Sequence, residues 1–150
     1  MAKLKISGLT ELQKQIAEIA EMDGGKIANE MLKAGSKDVA DTWTKVSRQK
    51  HVLTGEMVKN IKSSRIKKNK YGRFTVTYPF GSETRVRRGQ IVKVRNAEKA
   101  FYQHYGYFNV LAGRYIPGDR FVDTIDAEAE PKANKTMQQI WDNYLKKKGK

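Results

Sequence analysis

The chain contains no cysteine. Disulfides, thiol nucleophiles and thiolate metal sites are therefore excluded, and the fold must stand on packing alone. Histidine is nearly as scarce. His51 and His104 are far apart in sequence, and neither has a second ligand at helical spacing, so the residues offer no metal site. No apolar run approaches the roughly 20 residues that a membrane-spanning helix needs, and residues 1–6 are too few and too polar to read as a signal peptide. Phosphate-binding loops fail on composition: Gly81-Ser82-Glu83-Thr84 lacks the remaining glycines and the lysine, and the glycines at Gly113 and Gly118 do not open between a strand and a helix. Acids are also short, at 16 Asp and Glu against 30 Lys and Arg, which leaves +14 on 150 residues. These absences predict a single domain over 1–150, folded in a cytosol, with no cofactor, no metal, no small-molecule substrate and no membrane. The charge predicts an anionic partner, either nucleic acid or the acidic surface of another protein.

The excess charge is concentrated rather than spread. Between Lys59 and Arg95 stand twelve cations and one acid, Glu83, a net +11. In the same stretch Phe74, Val76, Tyr78 and Phe80 alternate with Arg73, Thr75, Thr77 and Pro79, the period of two of a strand with one buried face. Turn residues at Asn69 to Gly72 and at Arg87 to Gln90 predict antiparallel hairpins. The expected result is a half-buried sheet with a basic wet side.

Around this segment the apolar spacing is helical. Leu4 and Ile6 read as a short edge strand. Leu9, Leu12, Ile16, Ile19 and Ala20 then predict a first helix, with Thr10 and Gln13 as a capping box. Asp23, Gly24 and Gly25 read as a break before a second helix marked by Ala28, Met31, Leu32, Gly35, Val39, Trp43 and Val46. Leu53 to Ile61 reads as a tight joint, with Thr54 as cap and Gly55 in a conformation closed to other residues. Phe101, Tyr102, Tyr105, Tyr107 and Phe108 fall in a loop-rich neighbourhood. Phe121, Ile125, Ala129, Ala133, Met137 and Ile140 mark a C-terminal helix capped by Asp119, which Pro131 should kink or divide, with residues 146–150 frayed. The fold class expected is α+β: a small antiparallel β-sheet packed against two N-terminal helices and one C-terminal helix.

The chemistry that this chain can offer is limited. Glu83 is the only carboxylate in the basic segment, and its default role is to pair with Arg85 or Arg87. A metal-independent ribonuclease using His104 or Glu83 as base is a weak alternative, because almost any basic domain satisfies its requirements. Nucleic-acid binding through a basic β-sheet, with Tyr71 or Phe74 stacking on bases, is a stronger one. The third reading is that Arg85, Arg87, Arg88, Lys93 and Arg95, around the Gly89 turn, dock a hairpin into an acidic groove of a neighbouring subunit.

Four motifs in order favour the third. Gly8-Leu9-Thr10-Glu11-Leu12 resembles a "G-L-x-E-L" opening, and Thr54-Gly55-Glu56-Met57-Val58-Lys59-Asn60-Ile61 resembles a central "T-G-x-L-x-x-S-I". Tyr102-Gln103-His104-Tyr105-Gly106-Tyr107 stands for "Y-x-E-x-G-T", and Ile116-Pro117-Gly118-Asp119-Arg120-Phe121 for "P-A-R-P-F". Together they resemble the small tail-component family of long-tailed bacteriophages of the Hong Kong 97 type, associated with tail completion and head-tail joining. His104 replaces the usual glutamate, Tyr107 the threonine, and Asp119-Arg120 stand where Arg-Pro is common. The resemblance implies a non-catalytic α+β subunit of the virion, assembled in the bacterial cytoplasm as a homo-oligomeric ring. Its partners would be other neck or tail proteins. A ring of such cationic subunits needs acidic neighbours, with transient DNA contact left to a subset of the cations.

Overall fold

The computed structural model describes residues 24–50, 55–70 and 72–147. The edge strand, the first helix with its capping box, the motif positions Gly8, Leu9 and Leu12, and the capping Thr54 lie outside them.

Two long helices form the frame. Helix α1, Gly24–Lys50, carries the second apolar series, and helix α4, Phe121–Lys147, carries the last. Each has 27 residues, about 40 Å at the α-helical rise. They run antiparallel: Met137 packs on Gly35 toward the start of α1, whereas Phe121 meets Trp43 toward its end. The expected break at residues 23–25 is corrected, because the helix already begins at Gly24. Gly25 instead permits close approach, since the Arg73 guanidinium lies 3.0 Å from where a β-carbon would stand.

Pro131 neither ends nor divides α4. It costs one backbone hydrogen bond, but Ala129 and Ala133 on either side are buried and hold the helix to its neighbours. The helix also continues through Lys146 and Lys147, into the stretch expected to fray. Asp119 caps as expected, its Oδ1 accepting from the Phe121 N–H at 3.1 Å.

Between the two helices the chain makes a short turn and a series of hairpins. Gly55 takes a left-handed φ of 71° and opens the one-turn helix α2, Glu56–Lys59. Met57, Val58 and Ile61 enter the core there, as the joint reading requires. Strands β1 (Ile61–Ser63) and β4 (Thr77–Pro79) pair antiparallel, as do β2 (Lys67–Asn69) and β3 (Gly72–Phe74). They are one long hairpin interrupted by a bulge, because three residues, 64–66, oppose two, 75–76. Hydroxyls carry the ladder across the interruption: Ser64 Oγ accepts from the Val76 N–H at 3.0 Å, and Thr75 Oγ1 donates to the Ser64 carbonyl at 2.8 Å. Strands β5 (Ser82–Arg87) and β6 (Gln90–Arg95) form a second hairpin, and β7 (Gly106–Asn109) and β8 (Arg114–Pro117) a third. Helix α3, Asn96–Tyr105, separates these two. The fold is thus α+β, and among the described residues every strand pair is antiparallel, although the strands form four two-stranded ladders instead of one continuous sheet.

Two expectations about faces are reversed. Phe74, Val76 and Tyr78 were read as the buried side of a strand, yet they are 37%, 48% and 36% exposed. Ile61 and Pro79 are the buried pair, and Thr75 and Thr77 are the half-buried positions on that side. The cause is proximity to α1: Ser63 Oγ donates to the Ser36 carbonyl at 3.1 Å and lies 2.8 Å from Thr77 Oγ1, which leaves no room for rings. The second concerns α3, which lies in the stretch read as loop-rich. Its buried stripe is Asn96, Ala100 and His104, spaced by four, and its aromatic residues face outward. A helix whose inner positions are polar gives no apolar period.

The core gathers Trp43, Val46, Met57, Val58, Ile61, Ala100, Phe121 and Ile125 from α1, α2, β1, α3 and α4. Of the motif positions, Ile61 and Phe121 lie in this core.

Candidate functional site

The β5–β6 hairpin is the feature that the docking reading requires. Its register pairs Ser82 with Arg95, Thr84 with Lys93 and Val86 with Ile91. Cross-strand partners share a face, so these three pairs point to one side and Glu83, Val94, Arg85 and Val92 to the other. The second side is the inner one, where Glu83, Val92 and Val94 are half-buried. On the outer side Val86 and Ile91 are 71% and 77% exposed, with Lys93 and Arg95 exposed behind them. Arg88 occupies the turn with φ 51°, next to Gly89 at φ 76°, the left-handed pair that a two-residue hairpin turn demands. Arg87 ends β5 opposite Gln90.

Glu83 fastens the hairpin at its base. Its carboxylate takes the Arg85 guanidinium and, at 2.6 Å, Lys99 Nζ from α3. The pairing with Arg85 is the one read from sequence; Lys99 was missed, because nothing in a linear pattern marks a lysine sixteen positions away as its neighbour. The hydrogen bond from Lys99, followed by that from Arg85, holds the Glu83 carboxyl below its ordinary value of 4.5. A lowered carboxylate pKa stabilises the folded form above the unfolded value, and the benefit is lost as pH falls through the folded value. The hairpin base is therefore expected to be intact at neutral pH and to loosen below about pH 4. Amide exchange in residues 82–95 should rise in wild type over that range, while Glu83→Gln shows faster exchange already at pH 7. Equal exchange in both proteins at pH 7 would show that the ion pairs do not anchor the arm.

Of the docking residues named from sequence, four divide into two roles. Arg85 is committed to Glu83. Arg88, Lys93 and Arg95 form no ion pair among the described residues, nor do Lys62, Lys67 and Lys68 on the long hairpin. Among the described residues, carboxylates thus leave most of the basic segment without an ion pair.

The third and fourth motifs meet each other. Gly106 pairs with Pro117, the Asp119 N–H donates to the Gln103 carbonyl at 3.0 Å, and the Arg120 N–H to the His104 carbonyl at 3.2 Å. Gly106 has φ 92°, and a β-carbon on Gly118 would strike the His104 carbonyl, so glycine is required at both. Phe121 is fully buried beside Ile61, where the central motif enters the core. Tyr102, by contrast, is exposed.

His104 is 5% exposed, with Nδ1 accepting from the Val122 N–H at 3.3 Å and Nε2 3.8 Å from Asp123 Oδ1. Its ring supplies an acceptor to an unsatisfied donor at the start of α4, the service that a glutamate at this motif position would also perform. His104→Ala is expected to destabilise by about 1–3 kcal/mol, for a lost acceptor and a vacated site. His104→Gln should recover part of that loss. Chemical denaturation of the three proteins checks the order, and equal stabilities would remove the capping role.

A second exposed surface is aromatic. Phe101, Tyr102, Tyr105, Tyr107 and Phe108 cover the outside of α3 and β7, with Phe101 4.7 Å from Tyr105 and 6.1 Å from Tyr102 between ring centres. The β7–β8 tip adds Leu111, which is 86% exposed, on a turn held by Asn109 Oδ1 accepting from the Leu111 and Ala112 N–H groups. Large exposed apolar patches mark interaction sites in soluble proteins. Among the described residues no cluster of three or more His, Cys, Asp or Glu is placed to hold a metal, and no helix is long and apolar enough to cross a membrane. No protein-family model, no curated protein and no solved structure matches this chain.

Proposed function

We propose that the protein is a structural subunit of a bacteriophage virion, at the neck or tail terminus, which completes or joins the tail by ring oligomerisation. It acts by docking and not by catalysis. The observation that carries this reading is the β5–β6 arm, anchored on one face by Glu83 and Lys99 and presenting on the other Val86, Ile91, Lys93 and Arg95, with no carboxylate among the described residues paired to them. Like charges concentrated in this way need a negative surface when copies come together. The exposed aromatic patch on α3 and β7 supports a second contact in the same assembly, and the ordered motifs supply the phage context.

Tails assembled without the protein, viewed by electron microscopy, test the reading. Unjoined or unterminated tails are expected; normal joining to heads overturns it.

Nucleic-acid binding is the second reading, favoured by the outer face of the long hairpin. There Lys62 stands opposite Tyr78 and Lys67 opposite Phe74, so cations and exposed rings alternate as on a stacking platform. Salt-sensitive retention on random DNA, reduced by Lys62→Ala and Lys67→Ala together more than by Arg87→Ala and Arg88→Ala, would favour it over the first. The ribonuclease alternative draws least support, since of its two candidate bases His104 is buried with Nδ1 occupied and Glu83 is engaged by Lys99 and Arg85.

A further inference from the structure

The acidic surface that would receive the arm is present on this chain. Residues 119–130 hold five carboxylates and one arginine, a net −4 that contrasts with the +11 of residues 59–95. Some of these acids are occupied: Glu128 by Lys45 at 3.0 Å, Asp123 by Arg120 at 3.3 Å. Asp126 and Glu130, one turn apart on α4, are exposed and form no ion pair among the described residues.

Asp126 borders an open groove of about 360 Å³ among α1, α4 and the long hairpin, lined by Leu32, Val39, Val122 and Met137 with Thr75 and Thr77. A cavity of about 150 Å³ accommodates a benzene molecule, so this one has room for two aliphatic side chains. The outer face of the arm has the matching pattern. Val86 and Ile91 form an exposed apolar pair, and Lys93 follows Ile91 by about 7 Å on the same face. Asp126 and Glu130 are about 6 Å apart along their helix. An apolar pair seated in the groove thus brings a cation to Asp126 at its edge, with Glu130 one turn further along α4.

The geometry points to a second copy of this chain as the arm's receptor: Val86 and Ile91 of one subunit enter the α1–α4 groove of the next, with Lys93 and Arg95 against Asp126 and Glu130. This rests on the assembly reading above and names its partner. A reciprocal exchange of arms would stop at a dimer, whereas in the ring of the assembly reading each arm enters the groove of the next subunit, so the contact is head-to-tail. Such a contact closes into a ring where the rotation permits and otherwise runs on as a filament. It also places part of the concentrated positive charge against the molecule's negative region, which an arrangement joining identical surfaces does not.

Because the natural chain has no cysteine, introduced pairs give a clean test. The full-length variant carrying Ile91→Cys and Val39→Cys, mildly oxidised at millimolar concentration, is expected to give a ladder of disulfide-linked dimers, trimers and higher species. Each single variant alone should stop at dimers or below. In parallel, Lys93→Glu and Asp126→Lys should each weaken self-association about tenfold in sedimentation, and the two together should restore part of it. Non-covalent multimers without the Ile91–Val39 bond would overturn this docking and leave the assembly reading standing. Monomers under all conditions would overturn both. A bond formed within one chain, or a Val39→Cys thiol that maleimide cannot reach in the monomer, would show that the groove has an occupant of its own and would also overturn the inference.

Discussion

Phe121→Ala is expected to cost about 3–5 kcal/mol, the largest stability loss available from any single truncation in this core. The ring is 0% exposed and meets Trp43 edge-on at 5.7 Å between centres. It is also 6.3 Å from the His104 ring, so it links α1, α3 and α4 at one point. Removing it opens a cavity that none of these neighbours can fill without moving a helix. The consequence should reach beyond packing, because the Phe121 N–H is the donor that Asp119 caps, and the chain before it closes the end of α3. A fall in melting temperature on the order of 10 °C follows for a chain of this size. Urea denaturation measures it directly, with the midpoint falling and the slope unchanged. A loss below about 1 kcal/mol would mean that the three helices are held elsewhere.

Replacing Arg88, Lys93 and Arg95 together by Glu is expected to leave stability within about 0.5 kcal/mol of wild type, since all three are surface groups without ion-pair partners. Assembly should respond very differently. If each reversal at a charged interface costs about tenfold, three reduce docking by roughly three orders of magnitude. On the proposed virion reading the measurement is complementation: infectious particles recovered when the variant replaces the wild-type protein during phage growth, with circular dichroism confirming the fold. Full complementation by a folded variant would remove the arm from the assembly mechanism. Loss of DNA retention with complementation intact would move its role to the nucleic-acid reading.

Much of the architecture is legible in the residues. The apolar spacing of Leu32, Val39, Trp43 and Val46 marks α1, that of Phe121, Ile125, Ala129 and Ala133 marks α4, and the turns at Gly72 and Gly89 fall between paired strands. Where the reading went wrong, backbone proximity had decided against hydrophobicity. Thr77 lies toward α1 because Ser63 and Ser36 bring a strand close to a helix backbone, and Tyr78 is turned outward as a result. Asn96 is buried because its side-chain amide donates to the Phe80 carbonyl at 2.6 Å, a contact that links α3 to the end of the long hairpin.

The docking arm divides along the same line. Charge, turn and strand pairing of residues 82–95 are local properties, and the sequence alone determined them: a basic antiparallel hairpin was bound to form there. Which face of it is free could be decided only in three dimensions, because that depends on Lys99 reaching Glu83 from another element. The groove that complements it is likewise a product of tertiary packing, lined by residues of α1, α4 and the long hairpin that are far apart in sequence. Periodicity specifies which side chains share a surface, whereas the distance between two surfaces is set by everything packed between them.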